Sequence, residues 1–357
     1  MYPRLIINLK KFKHNAEALL SLCQPRGISI AAVTKVFCAA PEMTEILSAL
    51  PIEFLADSRL ENIESYPTPR KARTLLLRLP SPSEAIRVVK SCDISCNSEL
   101  HTLKLLAEAA KNQNKQHGII LMADLGDLRE GIYYGNEALF NETADFIHAH
   151  ENLTLEGIGV NLTCYGGILP TQENLQKLCD MANKLSSRLN TPIKIISGGN
   201  SSSLYLLENG QIPKNINNLR FGEAMVRGIE TAFALPFTGL ALDVVTLEAE
   251  IIELMEKPSL PEGEKGLNAF GQVPHFEDSG IRKRAILAVG RQDTDFEGLT
   301  CENIKVVGAS SDHLIVDITD SAQALQVGDT LTFSLSYGAI LAGFTSKYVQ
   351  KSYIFPE

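Results

Sequence analysis

Tryptophan is absent from the 357 residues, and aromatic residues make up only 6 % of them. A core built from this chain rests on aliphatic and small side chains rather than on large rings. No apolar run is long enough to span a bilayer, and the opening "MYPRLIINLKKFKHN" has no secretory h-region. The expectation is a cytoplasmic protein with no membrane partner. The seven cysteines are Cys23, Cys38, Cys92, Cys96, Cys164, Cys179 and Cys301. Their number is odd, and the one close pair, Cys92 and Cys96, has no second pair at zinc-site spacing. Free thiols in a reducing compartment are expected, rather than a disulfide framework or a metal centre. No basic block stands out and the formal net charge is -9, which argues against nucleic acid as a partner. No GxGxxG follows the first strand-like run, so the dinucleotide-binding fingerprint is missing.

What is present is ordinary globular composition, 45 % hydrophobic and 21 % charged, on a chain longer than one core usually serves. Short apolar runs alternate with helix-patterned segments. The strand candidates are 28–34, 53–57, 74–79, 92–96, 118–125, 155–162, 193–197 and 218–221. Helical spacing of apolar residues marks 9–23, 98–113, 141–150 and 171–189. Eight strands with interleaved helices argue for a parallel sheet, and about 200 residues is the size of a (β/α)8 TIM barrel. After about residue 230 the pattern changes. "DVVTLEAEIIELMEK" is open between helix and strand, whereas "RKRAILAVGRQD", "HLIVDITD" and "DTLTFSLSYGAI" read as strands. The expected fold is an α/β barrel over residues 1–230 followed by a mostly β C-terminal domain over 231–357. The opening strand, about residues 3–8, is assignable to either.

In such a barrel the chemistry sits at the C-terminal ends of the strands. Lys35 follows the first of them, Asp57, Ser58 and Arg59 the second, and Asp124, Asp127 and Arg129 the fifth. Asn161 and Tyr165 follow the sixth, "SGGNSSSL" (197–204) the seventh, and "RFGEA" (220–224) the eighth. A lysine at a strand end is ordinarily just solvated, and Gly-Gly-Asn-Ser is ordinarily a helix-starting turn. Together they say more. The two glycines let backbone N–H groups approach an anion, and the loops after strands seven and eight are the usual phosphate grip of this barrel. A phosphate grip with one lysine across the barrel mouth describes a site for pyridoxal 5'-phosphate, whose aldehyde a lysine amine attacks. Desolvation at the mouth lowers a lysine pKa and makes that amine nucleophilic.

With these residues the chain resembles the alanine racemase fold group of pyridoxal phosphate enzymes, most closely its ornithine racemase-type amino acid racemases. "AVTKVFCA" resembles the lysine motif of that group. "LADSR", "GVNLTCYGG", "SGGNSSSL", "LRFGEA", "RKRAILAVGRQD", "GASSDHLIVDITD" and "LSYGAILAGFTS" follow in the expected order along nearly the whole chain. The resemblance implies that Lys35 is the Schiff-base lysine and one catalytic base. It implies that Arg220 hydrogen-bonds the cofactor ring nitrogen, with Gly222 beside it. Asn161 falls where alanine racemases have a histidine beside the ring. Arg129 matches an arginine facing substrate and cofactor. Asn200, Ser201 and Ser202 would hold the phosphate with help from Tyr337, and Asp312 lies where the partner subunit reaches the substrate. The group is dimeric with shared sites, so a homodimer acting on a small amino acid is implied.

One position departs from the group. Alanine racemases take their second base from a tyrosine in a Gly-Tyr-Gly turn, and the matching stretch here is "NAFGQ", with Phe270 in that place. Phenylalanine transfers no proton. His313, His275, Asp293 and Tyr165 are the candidates left, and histidine titrates most readily near neutral pH. The reaction expected is exchange of the α-hydrogen of ornithine or another basic amino acid. Asp57, Glu223, Asp293 and Asp312 are the carboxylates available to a cationic side chain. Alanine racemase, a decarboxylase of basic amino acids and a non-catalytic pyridoxal phosphate-binding protein are the rivals. A decarboxylase would carry an acid where Arg220 stands, and a binding protein of this kind can be a lone barrel.

Overall fold

The computed structural model describes residues 1–355. It divides into two compact units, one over Lys11–Leu242 and one made of Met1–Lys10 with the chain from Asp243 onward.

The first strand, β1 (Arg4–Asn8), belongs to the second of these units. The barrel unit then runs through β2 (Ser29–Val33), β3 (Phe54–Asp57), β4 (Arg73–Leu76), β5 (Ile94–Asn97), β6 (His117–Asp124), a two-residue β7 (Ile132–Tyr133), β8 (Leu153–Val160), β9 (Ile195–Ser197) and β10 (Asn218–Phe221). All of these pair in parallel. The order β5-β4-β3-β2-β10-β9-β8-β6 closes on itself through β5–β6, and β7 lies alongside β6. Eight strands therefore form a closed barrel, as the alternation of runs in the sequence implies. Buried β-branched and small residues dominate these strands because both faces are covered. Ala31, Phe54, Ala56, Leu75, Ile94, Cys96, Ile120, Met122 and Ile195 fill the interior. Gly159 faces inward too: a Cβ there would lie 3.1 Å from Met122 Sδ and 3.4 Å from Ser197 Cβ.

The barrel unit ends later than the change of composition at residue 230 implies. Beyond β10 comes a small hairpin of β11 (Ile229–Glu230) and β12 (Leu235–Pro236). The buried Glu230 carboxylate organises it by accepting from the N–H groups of Ala232, Phe233 and Leu235. The chain beyond this hairpin is tied back to helix Leu9–Cys23 by the exposed His14, whose Nε2 lies 2.8 Å from Gly239 O, and by the buried Asn15. Asn15 accepts from Ala241 N at 2.7 Å and donates to Ala241 O at 2.9 Å and Met225 O at 3.2 Å. The division therefore falls after Leu242 rather than after residue 230.

The second unit is a mostly antiparallel sheet of β13 (Val245–Pro258), β14 (Ile281–Leu287), β15 (Leu299–Thr300), β16 (Lys305–Ala309), β17 (Leu314–Asp317) and β18 (Thr330–Leu335), in the order β15-β18-β13-β14-β17-β16. β1 joins it antiparallel to β13 and parallel to β19 (Gln350–Ile354). The open segment 245–258 is thus a strand. Its Glu, Leu and Met favour a helix, but burial alternates residue by residue over its first half, and cross-strand pairing overrides propensity. The strand reading of 329–340 holds only to Leu335. There Ser336 caps a helix, Tyr337–Thr345, by accepting from Ala339 N at 3.2 Å.

Candidate active site

The barrel mouth is built from strand ends. Thr34, the last residue before Lys35, is fully buried, and its hydroxyl donates to Asp57 Oδ2 at 2.5 Å and meets Tyr66 OH at 2.9 Å. Asp57 Oδ1 accepts from Arg59 N at 2.9 Å. Burial pushes the Asp57 carboxyl up, and burial followed by the Asp57 charge raises the Tyr66 phenol well above its ordinary range. Both groups anchor the end of β2, so Asp57 is not an open carboxylate for a substrate. Lys35 itself is half-buried and opens a single 3-10 turn, Lys35–Phe37. Cys38 and Ala39 leave that turn with φ of 50° and 51°. Two successive left-handed residues without glycine cost roughly 1–2 kcal/mol each, so the surrounding packing dictates how the chain turns behind Lys35.

Arg220 lies opposite Ala31 in the β10–β2 register and is 3 % exposed. Its guanidinium donates to Val160 O at 2.5 Å, to Asn161 Oδ1 at 2.6 Å and to Ser197 Oγ. Ser197 in turn donates to Asn218 Oδ1 at 2.6 Å. Burial lowers the Arg220 pKa, but a guanidinium keeps its proton in a protein. The other end of the Asn161 amide donates to Glu130 Oε1, and Glu130 also takes both Nε and Nη2 of Arg129, the latter at 2.5 Å. Burial raises the Glu130 carboxyl, but Arg129 and then Asn161 outweigh it and hold it below the usual carboxylate range. Glu130 is the residue that sequence reasoning missed. An acid next to an arginine in "DLREG" reads as a solvated pair, and its position after a barrel strand was the available signal.

The loop after β9 carries Gly199 at φ +110°, a conformation open to glycine. Asn200 Oδ1 accepts from Ser202 N at 2.8 Å, and its Nδ2 reaches Leu162 O at 3.2 Å and Cys164 Sγ at 3.3 Å. Ser201 Oγ accepts from Ala224 N at 3.2 Å, which ties this loop to the one after β10. Gly222 makes room for the neighbouring strand, since a Cβ there would sit 3.1 Å from Val33 O. Ser202 Oγ is fully buried and has no hydrogen-bond partner among the described residues. Such an atom costs about 1–3 kcal/mol unless a ligand satisfies it. An anion with several acceptor oxygens is the ligand this loop fits. A phosphate ester on a group that Lys35 can hold covalently therefore suits the residues present.

The remaining sequence candidates lie on the second unit. Asp312 and His313 occupy the turn before β17, with His313 Nδ1 3.0 Å from Asp312 Oδ1. Hydrogen bonds from Ser311 and then His313 hold the exposed Asp312 carboxyl below its ordinary range. Tyr337 is the first residue of its helix and half-buried. Phe270 lies under the Arg291 guanidinium, 4.3 Å from the ring centroid. His275 is exposed. Asp293 is buried and accepts from Gly290 N at 3.0 Å, so it is a turn-former and not an open carboxylate. In the barrel unit, Tyr165 is 76 % exposed, on a loop that Asp127 shapes by accepting from the N–H groups of Cys164, Tyr165 and Ile168. No disulfide joins the cysteines, and no group of three metal-binding side chains occurs among the described residues.

A closed parallel barrel with a lysine at one strand end, a buried arginine and a Gly-Ser loop is an arrangement that suits a phosphate-bearing carbonyl group. The chain belongs to the family described as alanine racemase, N-terminal domain, which matches residues 7–228. It is 48 % identical over 353 residues to an ornithine racemase of Acetoanaerobium sticklandii, covering 98 % of this chain and 99 % of that one. It is 40 % identical over 359 residues to a lysine racemase of Thermotoga maritima, covering 99 % of each. Among solved structures it is similar to an alanine racemase of Clostridium difficile 630, with a TM-score of 0.73 at 17 % identity over 99 % of this chain and 96 % of that one. It is also similar to an alanine racemase of Bartonella henselae with covalently bound pyridoxal phosphate, with a TM-score of 0.70 at 17 % identity over 99 % and 100 %.

Proposed function

We propose that this protein is a pyridoxal phosphate-dependent racemase, an isomerase that interconverts the L and D forms of a basic amino acid, ornithine or lysine. What carries the reading is the buried Ser202 hydroxyl, unpartnered among the described residues, in the loop after β9 of a barrel whose β2 ends in Lys35. Full-length similarity to two racemases of basic amino acids supports the substrate class.

Lys35 would hold the cofactor through its Nζ, and Ser201, Ser202, Asn200 and the N–H groups beside Gly222 would hold its phosphate. Bound pyridoxal phosphate supplies an electron sink that makes the substrate α-proton removable. Arg220 would face the ring nitrogen with a proton it does not release, which would leave that nitrogen unprotonated and the sink weak. A weak sink suits racemisation, which must return the proton to the carbon it left. Arg129 orients the substrate, with Asn161 alongside the ring. Lys35 Nζ would take or return the α-proton on one face. His313, oriented by Asp312, serves the other face, and Tyr337 assists at the phosphate. The second unit of a partner chain supplies these last groups, in a homodimer with shared sites. Glu223 is paired with Arg227, which leaves the exposed Asp312 as the carboxylate for a cationic side chain. The protein works in the cytoplasm, in keeping with its free cysteines. No helix among the described residues is long and apolar enough to cross a membrane.

The test is a panel of single L-amino acids, followed by loss of optical rotation. Ornithine or lysine should lose rotation fastest. Preference for alanine would move the assignment to alanine racemase. Carbon dioxide release would make the protein a decarboxylase. Retained cofactor with no turnover of any substrate would leave a binding protein.

A further inference from the structure

Arg129, Glu130, Asn161 and Arg220 form one continuous row at the barrel mouth. A carboxylate only accepts hydrogen bonds and a guanidinium only donates them, whereas an amide does one at each end. The amide of Asn161 lies between one of each. Its Oδ1 accepts from Arg220 and its Nδ2 donates to Glu130. Turned over, it would face donor to donor at Arg220 and acceptor to acceptor at Glu130. Only one arrangement of the row satisfies every member, and the Glu130 carboxylate selects it.

Resting on the racemase reading above, we propose that Glu130 is a positioning residue of this site. Its carboxylate fixes the orientation of the Asn161 amide, and through it the Arg220 guanidinium that faces the cofactor ring. It also holds Arg129 by a two-pronged pair, so that one negative charge lies between two positive groups in the same mouth. An ion pair between sequence neighbours ordinarily contributes little. Here the side chain of Glu130 is only 16 % exposed, and its oxygens are shared between the pair and a bond into the row. Glu130 touches neither substrate nor cofactor in this scheme. It acts through Asn161 and Arg129.

The test is a reciprocal swap. Glu130→Gln keeps the shape but adds a donor, and Asn161→Asp replaces the amide by a second acceptor. Glu130→Gln should lower kcat about tenfold, the scale of one hydrogen bond to a charged group. It should also raise the abortive reaction, in which the amino group stays on the cofactor as pyridoxamine phosphate and the substrate leaves as its 2-oxo acid. Hydrogen exchange at the Arg220 guanidinium, followed by nitrogen NMR on the purified protein, should speed up whether or not substrate is present. In the double variant the bonds on either side of residue 161 are restored with the two polar groups exchanged, while the glutamine at position 130 keeps one oxygen for the Arg129 pair. The new amide can donate to the new carboxylate, which still accepts from Arg220. Recovery of slow exchange at Arg220 and of part of the lost kcat is therefore expected. Wild-type exchange in Glu130→Gln, or a double variant no better than the sum of the singles, would overturn the proposal. Should Asn161→Asp fail to fold, the exchange rates of Glu130→Gln and Glu130→Ala decide alone. Borohydride labelling of Lys35 in the same proteins separates the two layers. Label on Lys35 with unaltered exchange sinks only the role of Glu130, and absence of label from Lys35 sinks the racemase reading.

Discussion

Arg220 and His313 are both nitrogen-bearing residues with a proposed part in the same reaction, yet the chain treats them differently. Arg220 is 3 % exposed and held by three acceptors on β8, the residue after it, and β9. His313 has 45 % of its side chain in solvent and bonds to its neighbour Asp312. The contrast extends to the regions around them. At the barrel mouth, strand ends fix Thr34, Asp57, Asn161 and Ser197 by interlocking bonds, so donors and charges are in place before a ligand arrives. On the second unit, Asp312 and His313 lie on a turn and bond to each other, and Tyr337 opens a helix. The barrel residues of the proposed site are thus preorganised, whereas its proposed groups on the second unit are open to ordering by a further surface. A shared site between two chains would provide that surface.

Separating the halves genetically gives the largest effect. Lys35→Ala should abolish turnover and covalent cofactor, and Asp312→Ala should lower turnover by at least about a hundredfold. Co-expressed, the two inactive proteins should recover activity if the second unit serves the partner's barrel. A mixed dimer then holds one intact site and one that carries both lesions. Mixed dimers verified by mass but inactive would place each site within one chain. Next in size, His313→Ala should reduce kcat about a hundredfold, the lower range for a lost general acid–base group, with little change in KM. A solvent isotope effect on one direction of racemisation only would mark the face it serves. A loss confined to KM would remove His313 from proton transfer.

The same contrast explains what the sequence made legible. Barrel strands announce themselves because small and β-branched residues run unbroken where both faces are buried, and β10 falls at 218–221 as its apolar run implies. Strand-end residues such as Lys35 and Arg220 follow directly from that register. Glu130 stayed hidden because its role depends on Asn161, 31 residues away along the chain. The end of the barrel unit at Leu242 was hidden for a similar reason. "TAFALPFTGLAL" looks like the start of something new until the Asn15 side chain is seen to hold Ala241 from 226 residues earlier. Segment 245–258 misleads locally, since its glutamates and leucines suit a helix until β1, β14 and β18 pair with it.

Within the barrel, replacing the fixed cation sharpens the comparison further. Arg220→Glu places an acid where the ring nitrogen is proposed to lie, strengthens the electron sink and should raise pyridoxamine phosphate formation per racemisation event about tenfold. The count is made on protein that retains cofactor. An unchanged ratio in a folded, loaded variant would mean that Arg220 does not face that nitrogen.

The smallest effect should have opposite signs with and without the cofactor. Ser202 Oγ has no partner among the described residues, while Ser197, Ser201 and Ser203 around it are all bonded. In protein stripped of cofactor, Ser202→Ala removes a buried polar atom that nothing satisfies. Replacing it by a methyl-sized side chain should be neutral or stabilising by up to about 1 kcal/mol. In loaded protein the same hydroxyl would donate to a phosphate oxygen, so its loss should weaken cofactor binding by about tenfold, the scale of one hydrogen bond to a charged group. Denaturant unfolding of both forms, with cofactor titration monitored by absorbance, reads the two effects separately. Ser201→Ala is the control: its hydroxyl already accepts from Ala224 N, so the substitution should destabilise both forms. If Ser202→Ala destabilises the stripped protein as Ser201→Ala does, Ser202 has an ordinary structural partner, and the anion is held elsewhere.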